Sequence, residues 1–294
     1  MAEYELRYGS TSARVREKGA QITSFKGADG REVLWQADPA VWPQHAPVLF
    51  PVCGSVRDEK TKIGGTVYPM TKHGFTRNPE FTCAHRGEDF IDLVLSPTED
   101  SRRMYPFDFR FHVTYRLFEN GYTTTFLVEN LSDATMPLCV GGHPGFACPM
   151  EEGAAFEDYV VKFEKPEEGI NSLAPGGYLI NGTEKLTAFS DASTLPLSHA
   201  LFDERDALIF AGLNSRSVKL IHKNSGHGLK FDFPKMEVLA IWSKPNANAP
   251  YVCLEPWHGM PGRAQDGDDF EQKPYVTLLK PGMVYTSWFT VSLL

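Results

Sequence analysis

Two stretches of the chain set chemically active side chains in frames that would hold them still. The first is Gly141-Gly142-His143-Pro144-Gly145-Phe146-Ala147-Cys148-Pro149. Its glycines permit close backbone approach, and its prolines fix φ and withdraw a backbone donor, so one histidine is presented rigidly at a strand end. The second is Val252-Cys253-Leu254-Glu255-Pro256-Trp257-His258-Gly259, an apolar strand closing on a carboxylate, then Pro and Trp. A lone loop histidine is ordinarily a hydrogen-bonded structural residue. The second frame changes that reading. An imidazole and a carboxylate, each at the end of an apolar strand, make an acid/base pair.

The elements that must position them are short strands. Tyr4–Arg7, Ala13–Arg16, Gln21–Phe25 and Glu32–Trp35 are parted by Gly9, Gly19 and Asp29-Gly30. Gly64-Gly65 marks a hairpin turn that delivers the chain to His73-Gly74-Phe75-Thr76-Arg77. The strongest periodicity is at Phe109–Phe118, where Phe109, Phe111, Val113, Tyr115 and Leu117 alternate with polar residues. That is a half-buried antiparallel strand, returned by Glu119-Asn120-Gly121. His112 falls on its polar phase and is expected to be solvated. Residues 167–181, rich in Gly, Pro and Asn, read as a long surface loop, and a helical turn is expected near Leu197–Phe202. Further strands are read at 159–164, 206–210, 217–222, 229–233, 238–243, 251–255, 275–279 and 284–293. His222 and His227 flank a turn without a third ligand nearby, so no metal is expected there. Roughly fifteen strands without helical periodicity predict an all-β protein, a large antiparallel β-sandwich, as one domain over 1–294.

Composition narrows the function classes. A formal charge of −8 without a Lys/Arg cluster argues against nucleic acid. No run approaches the ~18 apolar residues of a membrane span, and Met1–Glu5 has neither the basic start nor the apolar core of a signal peptide. Five cysteines without CxxC spacing read as reduced thiols of a cytoplasmic protein.

Six motifs then occur in one order: Ala46-Pro47-Val48-Leu49-Phe50-Pro51, His73-Gly74-Phe75-Thr76-Arg77, Tyr105-Pro106-Phe107-Asp108-Phe109, Gly141-Gly142-His143-Pro144-Gly145-Phe146, Ile241-Trp242-Ser243 and Glu255-Pro256-Trp257. Each is weak alone. Together they resemble the aldose 1-epimerase (galactose mutarotase) family, particularly its LacX-like branch. The resemblance implies a β-sandwich with a sugar cleft on one concave face and no cofactor or metal. It implies that Glu255 is the general base on the C1 hydroxyl of a pyranose and His143 the general acid on the ring oxygen. The ring opens, the aldehyde rotates about C1–C2, and closure gives the other anomer. The chemistry wants these residue types, because one proton must leave and another arrive across the same C–O bond. We expect the two side chains to face each other across one pocket, about a sugar ring apart.

The same resemblance assigns sugar contacts to His73, Arg77, Asp206 and Arg57. Ser55 stands where many relatives carry a basic residue, and Arg57 is the candidate to replace it. His258 occupies the usual tyrosine position and is expected to alter the cleft rim. Trp242 and Trp257 fit core packing better than stacking on a sugar. Three functions follow: a mutarotase for a free aldose, a hexose-6-phosphate mutarotase with Arg57 and Arg77 on the phosphate, or a non-catalytic sugar-binding sandwich. The partner is a small sugar or sugar phosphate, for a monomer or homodimer.

Overall fold

The computed structural model describes residues 2–294. The alternation at Phe109–Phe118 becomes a strand whose five apolar residues are buried, and it pairs in register with Gly121–Asn130, from Phe118 opposite Gly121 to Phe109 opposite Asn130. This hairpin lies within a nine-stranded antiparallel sheet, in the order Thr194–Pro196, Tyr159–Phe163, Ser217–His222, Gly228–Asp232, Val284–Leu293, Gly121–Asn130, Phe109–Phe118, Phe90–Leu95, Thr82–Arg86. A six-stranded sheet lies against it. Its main path runs Ala207–Ala211, Val238–Trp242, Tyr251–His258, Val140–Gly142, Val48–Leu49, and Gly145–Ala147 also pairs with Tyr251–His258.

Aromatic side chains join the layers. Phe50 stacks on Phe111 with ring centroids 4.8 Å apart, and Phe146 meets Phe231 edge-on at 6.0 Å. All four are buried, each stabilising the fold by about 1.5–3 kcal/mol. Because the small sheet is fixed on its inner face, its outer face can be shaped for chemistry. The strand Tyr251–His258 is buried along its whole length. Val252 and Leu254 point into the main core, while Tyr251 and Cys253 join a second apolar cluster with Trp35, and Glu255 and Trp257 open onto a cleft.

Several expectations need amending. Glu32–Trp35 forms no strand; the Glu32 carboxylate instead accepts from the Phe25 and Leu34 N–H groups. Thr82–Arg86 and Phe90–Leu95 extend the large sheet, and Glu99–Met104 is a short helix capped by Thr98, too brief to show a helical period. The 167–181 region is not all loop, since Ile170–Ser172 pairs with Thr183–Lys185. Buried Asn171 fastens this hairpin, accepting from Ile209 N–H at 2.7 Å and donating to Glu184 at 3.0 Å. His112 is not free in solvent. Asp92 at 3.0 Å and Glu129 at 3.2 Å flank it, and these hydrogen bonds raise its pKa. Among the described residues no helix is long and apolar enough to cross a membrane.

Candidate active site

The cleft on the outer face of the small sheet has a cavity volume of about 190 Å³ and opens to solvent. His143, Glu255, His73, Arg77 and Asp206 all line it. Residues from four distant stretches of the chain are thereby brought together.

His143 sits in the link between Val140–Gly142 and Gly145–Ala147. Its N–H donates to Pro47 O at 2.9 Å, and Pro144 O accepts from Leu254 N at 3.3 Å, so the link is tied to strands on both sides. The imidazole stacks on Trp42 with centroids 5.0 Å apart. Its Nε2 lies 3.2 Å from Glu255 Oε2. This is closer than the expected sugar-ring separation. Side chains meant to serve the anomeric hydroxyl and the ring oxygen, which are bonded to one carbon, would have to converge in this way.

Burial sets the electrostatics of the pair. The Glu255 side chain is 3% exposed and that of His143 12%. Desolvation lowers the His143 pKa to about 3, with Lys72 and Arg77 pushing the same way, and raises Glu255 well above the usual carboxylate range. Both shifts favour the uncharged forms, a neutral imidazole 3.2 Å from a carboxyl biased toward its protonated state.

His73 is positioned by its motif. His73 and Gly74 both adopt positive φ, and a Cβ on Gly74 would lie 2.0 Å from Phe50 O, so only glycine fits. The turn is held by His73 N–H on Gly54 O at 2.9 Å. Gly54 N–H donates to His73 Nδ1 at 3.1 Å, which leaves the ring proton on Nε2. Burial lowers the His73 pKa well below its ordinary value, so it serves as a neutral donor.

Asp206 caps the helix His199–Arg205 at φ +64, a conformation costly for any residue but glycine. Trp242 Nε1 donates to its Oδ1 at 3.3 Å. Trp242 and Trp257 thus belong to the cleft as well as to the core, and Trp42, absent from the sequence reading, forms a further wall. Lys72 was also missed. It precedes His73 in the same motif and lines the cleft.

Three assignments are corrected. Arg57 does not reach the cleft; its guanidinium pairs with Asp268 at 3.1 Å and donates to Ala264 O and Asp266 O, tying down the 264–268 loop. Ser55 does not await a basic substitute either. Its hydroxyl donates to Gly177 O at 2.8 Å and pins the segment that forms one cleft wall. His258 faces away from the cleft, bonded to Glu237 and Thr277 at 2.7 Å each, because strand alternation turns it opposite to Trp257.

Donor atoms of His143, Cys253 and Glu255 lie within 4.8 Å of one another, close enough to share a cation. Burial holds the Cys253 thiol pKa well above its ordinary value, which disfavours the thiolate that a metal needs. His222 and His227 engage separate partners, Ser225 and Glu151 respectively.

Comparison with known proteins agrees with this geometry. The sequence model of the family described as aldose 1-epimerase matches residues 2–292. The plasmid-encoded protein LacX of Lactococcus lactis subsp. lactis is 35% identical over 284 residues, covering 94% of each chain. A galactose mutarotase related enzyme from Lactobacillus acidophilus superposes with a TM-score of 0.92 at 31% identity, over 100% of this chain and 97% of the other. A galactose mutarotase-like protein from Lactobacillus casei gives 0.92 at 27% identity, over the full length of both.

Proposed function

The chain belongs to the aldose 1-epimerase family, and from that premise we propose that His143 and Glu255 are the acid and base with which it interconverts the α and β anomers of an aldose. The 3.2 Å contact between them at the floor of a polar cleft carries this reading. Glu255 takes the proton of the C1 hydroxyl and His143 gives one to the ring oxygen. The aldehyde rotates, and the steps reverse on the other face. The resting pair holds its proton on the carboxyl side, so sugar binding must shift it to the imidazole. Sugar hydroxyls that donate to the carboxylate favour that shift. His73 Nε2–H and Asp206 hold further hydroxyls. The residues 1–294 act as one sandwich domain around this cleft. Free thiols at all five cysteines suit a reducing cytoplasm. Anomer exchange measured by NMR over a panel of aldoses and their phosphates tests the function. No acceleration of any of them by the wild-type protein would reject it.

The shared proton predicts the pH dependence. As pH falls through about 3, a second proton enters on His143 and the pair loses its acceptor. As pH rises through the elevated Glu255 pKa, the shared proton is lost and no acid remains. The rate constant kcat/KM should follow a bell whose acid limb lies well below the free-histidine range and whose basic limb lies above the usual carboxylate range. An acid limb near the free-histidine value of ~6.5 would mean that His143 titrates as an exposed group, against this reading.

A second reading, a sugar phosphate as substrate, is favoured by Lys72 and Arg77 on the cleft wall. Arg77 donates to the Lys72 carbonyl at 2.8 Å, and both residues line the cleft. If they bind a phosphate, Lys72→Ala and Arg77→Ala should each weaken the phosphorylated sugar about tenfold or more and leave the free sugar little changed, since charge-assisted hydrogen bonds are the strong ones. Calorimetric titration with the matched pair of ligands checks this. Equal losses for both ligands would leave a free aldose as the substrate.

A further inference from the structure

Trp257 carries an unused donor beside the catalytic pair. Its side chain is buried, 3% exposed, yet its indole Nε1 has no hydrogen-bond partner in the protein. A buried donor left unpaired costs about 1–3 kcal/mol, so such an atom in a ligand cleft signals an acceptor supplied from outside. The indole is a donor only and can therefore meet only an oxygen acting as acceptor.

Its placement is built, not incidental. Trp257 follows Glu255 by two residues on one strand, so both side chains project from the same face into the cleft. On the neighbouring strand Gly141 leaves the space the ring occupies, for a Cβ there would lie 2.7 Å from Trp257 Cδ1. The His73 ring meets the indole edge-on at 5.8 Å and holds its other side. The N–H lies near enough to the Glu255 carboxyl to favour its charged form, yet outside hydrogen-bond geometry, and Glu255 Oε2 is likewise without a hydrogen-bond partner.

We propose that Trp257 Nε1–H is a further catalytic group, the donor to the anomeric oxygen of the bound sugar. This rests on the mutarotase reading of the cleft. Glu255 removes the proton from that oxygen, which passes from hydroxyl to aldehyde carbonyl and gains negative charge on the way. A fixed donor on its free lone pair stabilises the charge as it develops, in the manner of an oxyanion hole. The indole neither gains nor loses a proton, so the proton count of the His143–Glu255 pair is unchanged.

Trp257→Phe keeps an aromatic side chain, with a smaller ring, and removes the donor. Wild type and variant are titrated with the best aldose of the panel and with its 1,5-anhydro analogue, which has the ring hydroxyls but no anomeric oxygen. The variant should lose at least ~10-fold in kcat/KM and bind the aldose more weakly, while both proteins bind the analogue equally. Equal weakening of both ligands would make the indole mere packing and overturn the proposal, as would an unchanged rate. Should the variant fail to fold, ¹⁵N-labelled wild type carries the test. The indole N–H signal with nuclear Overhauser contact to His73 should move downfield with the aldose and stay with the analogue. Identical responses to the two would overturn the proposal. A wild type without anomer exchange would strike the function beneath it, whereas an active wild type with an unselective Trp257→Phe would strike this inference alone.

Discussion

Glu255→Gln is expected to slow anomer exchange by at least ~10²-fold, because a positioned acid or base typically contributes about 10² to 10⁴. The amide is nearly isosteric with the carboxyl, so the packing around the strand Tyr251–His258 should survive. It can neither take the C1 proton nor share one with His143. Burial favours the protonated carboxyl, whose neutral form resembles the amide in hydrogen bonding. The variant should therefore match or exceed wild type in thermal stability while losing the reaction. Polarimetric rates, corrected for spontaneous mutarotation, decide the point. A rate within a few-fold of wild type would remove Glu255 from the mechanism.

His143→Asn should cost a comparable factor. Asn keeps a polar group near the position of the imidazole but titrates nowhere near neutral pH, so the ring oxygen receives no proton. The substitution also removes the ring stacked on Trp42, and KM should rise as that wall loosens. The decisive comparison is the double variant. Glu255 and His143 hold one proton between them, so loss of either disables the pair. Their combination should be little slower than the worse single variant. Independent, multiplying losses would show that the two act on separate steps rather than as a unit, and would overturn the shared-proton account.

Local pattern alone determined a good deal about this protein. The alternation at Phe109–Phe118 and its Asn-Gly turn specify a strand pair in one register, because a one-residue slip would turn five apolar side chains outward. The glycines and prolines around His143, and the apolar run ending at Glu255, single out the two side chains that meet in the cleft. Such frames exist in the sequence because the backbone conformations they impose are local. What lay beyond reach was any property set by distance through space. The 3.2 Å contact between residues 112 positions apart in the chain depends on how Val140–Gly142 docks on Tyr251–His258. Arg57 and Lys72 carry like charges in similar settings, and only the folded chain turns one toward Asp268 and the other toward the cleft. Trp242 and Trp257 have the composition of core residues. Whether their N–H groups find a partner is decided by which side of the sheet faces solvent. The protonation of the catalytic pair is the furthest from the sequence, since it follows from desolvation, and only packing of the whole molecule around those two side chains removes their water.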